Sequence, residues 1–266
     1  MVAEALRLLV VSLAVFGVSW FFSMFGKGGG EFYVPLLSVV GGLPLYTAAG
    51  TTLFVLVAQG ASMLLVYHYK LGLVDWVLAA VAGASAMAGA FIGGYFSGSL
   101  PARVLAAVFV SLLLVSAVLL LRGMGLGARR VPGPRLRRRV GGYEYELAAA
   151  AVAAPVAVVA ALASMAGISG GSLIIPLVVL IGGVPLRVAV GTNPVLVLLS
   201  ATAGWLGHMA RGGFSPVYGA AAAVAAIAGS QLGARMHARL SDEAIRVIFA
   251  SLMLLAALVM ALKALA

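Results

Sequence analysis

The sequence predicts an all-α membrane protein of about eight transmembrane helices, arranged as two homologous four-helix repeats that each hold a broken or re-entrant segment. Three observations predict it. Of 266 residues, 64% are hydrophobic and 9% charged, whereas a soluble domain carries about 25% charged residues. Apolar runs occur along nearly the whole chain, many long enough to cross a ~30 Å hydrocarbon core as helices of roughly 20 residues. The two halves also repeat each other at an offset of 141 residues. Runs such as Val104–Leu121 and Ile245–Leu262 do not alternate in polarity, so the ~10-residue alternating strands of a membrane barrel do not fit.

Taken in order, Ala5–Phe25 is too long for a signal-peptide core and lacks a small-residue cleavage site, so it reads as a retained first span. Phe32–Val40 is apolar but too short to cross. A glycine cluster precedes it and Gly41-Gly42-x-Pro44 follows it, the pattern of a discontinuous helix. Leu45–Tyr67, Trp76–Gly98 and Ala102–Leu121 complete the first repeat, residues 1–121. Residues 122–143 form a linker without an apolar run. It holds Arg122, Arg129, Arg130, Arg135, Arg137, Arg138 and Arg139. Such a cluster beside spans is retained in the cytoplasm and suits anionic lipid heads. No aromatic residue lies between Arg122 and Arg139 for base stacking, so the formal charge of +10 is not read as nucleic-acid binding. Residues 144–266 form the second repeat, with spans at Glu146–Ala166, Leu186–Met209, Phe214–Met236 and Ala244–Leu265 and a short stretch at Leu173–Ile181. Four full spans per half would make the repeat parallel, with both termini on the linker's side. Five crossings per half would invert it. The sequence leaves both open.

The repeat is clearest between Ser23–Thr52 and Ser164–Asn193, where fourteen of thirty positions are identical. The shared glycines and prolines carry most weight, because they set backbone geometry. Among them are Gly26/Gly167, Gly29/Gly170, Gly30/Gly171, Pro35/Pro176, Gly42/Gly183 and Pro44/Pro185. In lipid, a backbone break is tolerated only inside protein or along a water-filled cavity. One break per half therefore points to one shared cavity, as in many secondary transporters. Helix N-termini there would offer unpaired amides and a positive dipole end to an anion. Gly89xxxGly93 and Gly229xxxGly233 read instead as faces for close helix packing.

The string Gly26-x-Gly-Gly-Gly, Pro35, Gly41-Gly42-x-Pro44 and Ala48-x-Gly50-Thr51-Thr52, with its second copy Gly167-x-Ser-Gly-Gly, Pro176, Gly182-Gly183-x-Pro185 and Ala189-x-Gly191-Thr192-Asn193-Pro194, resembles the sulfite exporter TauE/SafE family. The resemblance covers essentially the whole chain. It implies a transporter of sulfite, thiosulfate or an organosulfonate in the plasma membrane of a prokaryote.

The expected substrate-binding residues are Lys27, Gly28, Gly29, Gly30, Thr51, Thr52, Ser169, Gly170, Gly171, Thr192 and Asn193. Backbone amides of the glycine strings would hold the anion, and hydroxyls and the amide would add donors without charge. The same polar types also favour helix caps. Lys27 could neutralise the anion, and Glu31 is the candidate for proton coupling. The two could also pair, or sit at the interface. Gln59 and Ser200 match at the repeat offset and read as bonds between helices. His68 and His208 read as interfacial residues, and Asp75 as a cap. The seven acidic residues are too scattered for a hard-cation site. No clustered His or Cys serves a transition metal, so a metal-cation transporter or channel fits less well, and no cofactor is implied. An intramembrane serine hydrolase built on Ser169 and His208 fits poorly, since the first repeat holds the same frame with Gly28 in place of the nucleophile. The expectation is a non-enzymatic anion transporter whose partners are its substrate, the bilayer and a coupling ion such as the proton.

Overall fold

The computed structural model describes residues 2–121 and 134–236, with isolated helical positions between 243 and 262. Arg122, Arg129, Arg130 and most of the last expected span, Ala244–Leu265, lie outside the described residues. The first half comprises α1 (Val2–Ser23), α2 (Gly30–Pro35, continued by wider π-helical turns through Leu36–Val40), α3 (Leu45–Tyr69), α4 (Trp76–Ser97) and α5 (Ala102–Leu121). The second comprises α6 (Ala149–Met165), α7 (Gly171–Leu180), α8 (Leu186–Met209) and α9 (Pro216–Ala234). Among the described residues, five helical stretches are long and apolar enough to cross a membrane: Glu4–Ser23, Leu45–Tyr69, Trp76–Ser97, Leu186–Met209 and Pro216–Ala234. Helix α6, at 17 residues, is shorter than the span expected at Glu146–Ala166.

The linker departs from expectation. Leu136–Val140 and Tyr143–Leu147 form an antiparallel hairpin, β1 and β2, that continues past the expected boundary at residue 143. Its turn is Gly141-Gly142, with φ of 56° and 83°, the geometry a two-residue hairpin turn demands and glycine supplies. The Gly-Gly-x-Pro motifs behave as their residues require. Gly42 and Gly183 take φ of 72° and 73°, and Pro44 and Pro185 then stand as extended N-caps of α3 and α8. Asp75 caps α4 as expected, accepting from the amides of Val77 and Leu78.

The helices pack in matched pairs across the halves. Helix α1 lies on α9 as α6 lies on α4, α3 lies on α9 as α8 lies on α4, and α3 crosses α8. The GxxxG faces make the first of these pairings, as expected. A Cβ at Gly89 or Gly93 would collide with the carbonyls of Ala157 and Ala161, and one at Gly229 or Gly233 with those of Phe16 and Trp20. Small residues let backbones approach where lipid offers no hydrophobic drive.

The connections sort to two ends of the bundle. After α2 the chain returns beside the start of α1, so that a Cβ at Gly42 would lie 3.6 Å from the Arg7 guanidinium. Likewise Ala148, before α6, donates its amide to the Gly182 carbonyl after α7, at 3.1 Å. Thus α1 with α2, and α6 with α7, each form a re-entrant hairpin that starts and ends on one side. Tyr46 meets Gly98 and His208 at one end, here the N-terminal end. Asp75 meets Thr192 and Arg138 at the other, the hairpin end. Three helices, α3 to α5, separate the start of α1 from that of α6. The two halves therefore run in opposite senses, and the parallel alternative falls.

Candidate functional site

The two interrupted segments meet in the middle of the bundle. Helix α1 passes the middle and the chain turns at Gly26, where a Cβ would lie 2.5 Å from the Val190 carbonyl oxygen. Its equivalent, Gly167, is pressed on Ala49, the counterpart of Val190 in α3. Both glycines have positive φ, 65° and 79°, so both turns need the residue on backbone and on space. The chain then returns through Gly28, which lies between Leu56 of α3 and its counterpart Val197 of α8, and through Gly30, where a Cβ would be 3.4 Å from the Gly167 carbonyl oxygen. Asn193 ties the tips together. Its Nδ2 donates to the Gly26 carbonyl at 2.8 Å, and a Cβ at Gly171 would come within 2.9 Å of its Oδ1.

Polar side chains hold each tip from the neighbouring long helix. Gln59 accepts from Tyr33 OH at 2.9 Å and from the Gly29 amide at 3.4 Å, and donates to Ser23 Oγ at 2.9 Å. Ser200, at the equivalent position of α8, donates to the Ser169 carbonyl at 2.8 Å. The inter-helix bonds expected of Gln59 and Ser200 are therefore made. Thr51 and Thr192 each bond the start of a distant helix. Thr51 Oγ1 accepts the amide of Ser215, which caps α9, at 3.0 Å. Thr192 Oγ1 accepts the amide of Asp75, which caps α4, at 2.9 Å. Each threonine thus fastens the third long helix of the opposite half. Beside them, Thr52 Oγ1 and Asn193 Oδ1 are buried without a hydrogen-bond partner among the described residues.

Lys27 and Glu31 form an ion pair of 2.9 Å, with both side chains about 2–3% exposed, so the interfacial alternative does not hold. The Lys27 ammonium also lies 5.6 Å from the Phe22 ring centre. Glu31 borders a cavity of about 10 Å³ that reaches Leu113, Ala163, Ile168, Gly170 and Leu173, room for about one water molecule. The amides of Gly28, Gly30, Ser169, Gly170 and Gly171 donate no hydrogen bond among the described residues, which is what the loop and first turn at a helix N-terminus leave open.

His208 corrects an expectation. It is fully buried rather than interfacial, and its Nε2 lies 3.0 Å from the Ser164 carbonyl oxygen. Among the described residues its ring bonds Ser164 and Ser97 rather than Ser169. Tyr33, Tyr67, Ser23 and Ser164 were not singled out from sequence. The offset of 141 reaches three of them, pairing Tyr67 with His208 and Ser23 with Ser164, but it pairs Tyr33 with Ile174 and gives no signal there.

At the hairpin end, the Asp75 carboxylate receives Arg138 through Nη2 at 2.9 Å and Nε at 3.1 Å, together with the Tyr145 hydroxyl. Burial alone would raise this carboxyl. The Arg138 and Tyr145 hydrogen bonds, with the amides of Leu78 and Val77, outweigh it and hold Asp75 below the ordinary carboxylate range. Both strands of the hairpin are thereby fastened to the cap that Thr192 also holds.

The sequence is similar to two proteins named as probable membrane transporters. It is 28% identical over 248 residues, 88% of this chain and 89% of the relative, to the probable membrane transporter protein YunE of Bacillus subtilis (strain 168). It is 27% identical over 113 residues, 42% of this chain and 46% of the relative, to the probable membrane transporter protein YdhB of the same organism. No solved structure matches the chain. The model of the sulfite exporter TauE/SafE family matches residues 11–260; with that span, and with relatives that are themselves named membrane transporters, the chain belongs to the sulfite exporter TauE/SafE family.

Proposed function

We propose that the protein is a secondary transporter of a small sulfur-containing anion, such as sulfite, thiosulfate or an organosulfonate, working by alternating access between its two halves. The observation that carries this reading is the meeting of the two glycine tips, joined by the Asn193–Gly26 hydrogen bond of 2.8 Å. Backbone amides that donate no bond among the described residues gather there, from Gly28, Gly30, Ser169, Gly170 and Gly171. Such amides favour negative charge without adding a fixed cation, which leaves release feasible. Lys27 is neutralised by Glu31 in this closed arrangement, so freeing Lys27 toward the anion and Glu31 toward a proton would couple the two. Two inverted repeats, each a re-entrant hairpin followed by three spans, complete the architecture of this reading. The arginine-rich hairpin end faces the cytoplasm of a prokaryotic plasma membrane.

The test is flux in proteoliposomes. Sulfite, thiosulfate, sulfate, a taurine-like sulfonate and divalent metals are each offered at equal concentration. Transport of at least one sulfur anion is expected, with Gly29→Val and Gly170→Val blocking it while the protein still inserts. A Cβ at Gly29 would meet Val18 at 2.5 Å, and Gly170 has φ of 78°. Transport of metals alone would overturn the anion reading, and normal flux in both valine variants would remove the tips as the site.

A further inference from the structure

The tips are held by non-equivalent partners. In the first half the hydroxyl of Tyr67 reaches the carbonyls of Ser23 at 3.2 Å and Met24 at 3.3 Å, where α1 ends. In the second half the counterpart of Tyr67 is His208, and its Nε2 reaches the carbonyl of Ser164, the counterpart of Ser23, at 3.0 Å. A carbonyl needs a donor, so Nε2 carries the proton and Nδ1 is left as a lone pair in the neutral ring. Nδ1 has no partner among the described residues. A tyrosine hydroxyl keeps its charge state through the physiological range, whereas a histidine ring is the side chain that changes charge there. The fold therefore uses a fixed clasp on one tip and a titratable one on the other.

We propose that His208 is a proton-binding residue that couples proton uptake to opening of the second re-entrant tip. The proposal rests on the transport reading above. The groups around the ring support it. From α3, the Tyr46 ring stacks at 4.9 Å. From α4, Ser97 Oγ lies 3.4 Å away, and Tyr95 carries the Arg211 guanidinium over its face at 4.8 Å. Helix α6 contributes the Ser164 carbonyl; the exposed Arg211, in the turn after α8, turns to Ser99 and bonds it at 2.8 Å. No carboxylate pairs with His208 among the described residues. A second proton, placed on Nδ1, would thus bring a positive charge with no counter-ion inside the closed bundle. Separation of α6 from α8 admits water or the arriving anion and supplies what the charge lacks. Acid on the N-terminal side then favours the open state, and the proton returns when the clasp on Ser164 reforms.

The variant that tests this is His208→Tyr, which installs the residue the first half already uses; His208→Gln, a neutral donor, serves should the tyrosine not fold. With the pH varied between about 8 and 5.5 on the N-terminal side, wild-type anion flux is expected to rise roughly fivefold, and both variants to lose that response. His68→Gln is expected to retain it. A second readout needs no substrate. Because the chain has no cysteine, Ser97→Cys reports opening through its rate of maleimide labelling. Dividing the rate measured with His208 intact by the rate measured in the His208→Tyr background cancels the titration of the thiol itself. The ratio should climb as the pH falls. A flat ratio, or a His208→Tyr protein whose flux keeps the wild-type pH response, overturns the proposal. Absence of flux for every anion would overturn the transport reading and leave the labelling result to decide this one.

Discussion

At the scale of single residues, the buried polar groups separate into those that lock the bundle and those, such as Thr52 Oγ1 and Asn193 Oδ1, without a partner among the described residues. Lys27 and Glu31 lock each other, and both are nearly inaccessible. Removing one partner of such a pair costs about 3–5 kcal/mol, because the other charge is left in a dry site. Lys27→Ala and Glu31→Ala are each expected to lower the unfolding temperature of the purified protein clearly, and the double variant less than the sum of the two. Additive losses in that cycle would show that the pair is not coupled. Asp75 obeys a different rule because it sits outside the spans. Its folded carboxyl titrates below the ordinary value, so the unfolded chain binds the proton more readily. The stability it contributes is present above the ordinary carboxylate range near 4 and is lost as the pH falls through its depressed value. An unfolding temperature that drops more steeply below pH ~4 in the wild type than in Asp75→Asn is the expected result.

At the scale of elements, glycine serves two separate purposes, and the sequence distinguishes them by spacing. The four-residue spacing in α4 and α9 produces helix faces on which carbonyls of α6 and α1 rest directly. Gly93→Val would force α4 and α6 apart and is expected to reduce the yield of folded protein in detergent. Gly17→Ala, in α1 with nothing within 4 Å of its Cβ position, is expected to leave the elution profile and unfolding temperature unchanged. Equal damage from both would mean that the α4–α6 contact is not tight. The clustered glycines, by contrast, make turns with positive φ at Gly26, Gly167 and Gly170. The hairpin of the linker was missed for a local reason. Leu136–Val140 and Tyr143–Leu147 contain too few apolar residues to stand out, and the Gly141-Gly142 turn between them is the signal that reveals it.

At the scale of the molecule, counter-running halves divide the basic residues unequally between the two ends of the bundle. Lys70, Arg187 and Arg235 join Arg135, Arg137, Arg138 and Arg139 toward the hairpin end, whereas Arg7, Arg103 and Arg211 lie toward the N-terminal end. That imbalance agrees with retention of positive charge in the cytoplasm. The sidedness can be measured directly in the cysteine-free chain. Tyr69→Cys and Ala210→Cys, both exposed, should be labelled by an impermeant maleimide from opposite faces of the membrane. Labelling of both from one face would contradict the opposed arrangement.

The sequence by itself determined the helical membrane class, the duplication, the two interrupted segments and the family, because apolar length and repeated glycine and proline act locally and leave a periodic record. It also marked Asp75 as a cap and Gln59 and Ser200 as bonding residues. Only the tertiary structure decided that the halves oppose each other, that Thr51 and Thr192 fasten distant caps, and that His208 lies buried on the Ser164 carbonyl. Those facts depend on which helix passes beside which. Helices with similar apolar composition pack by shape and by a few buried hydrogen bonds, and neither is visible until the chain is folded.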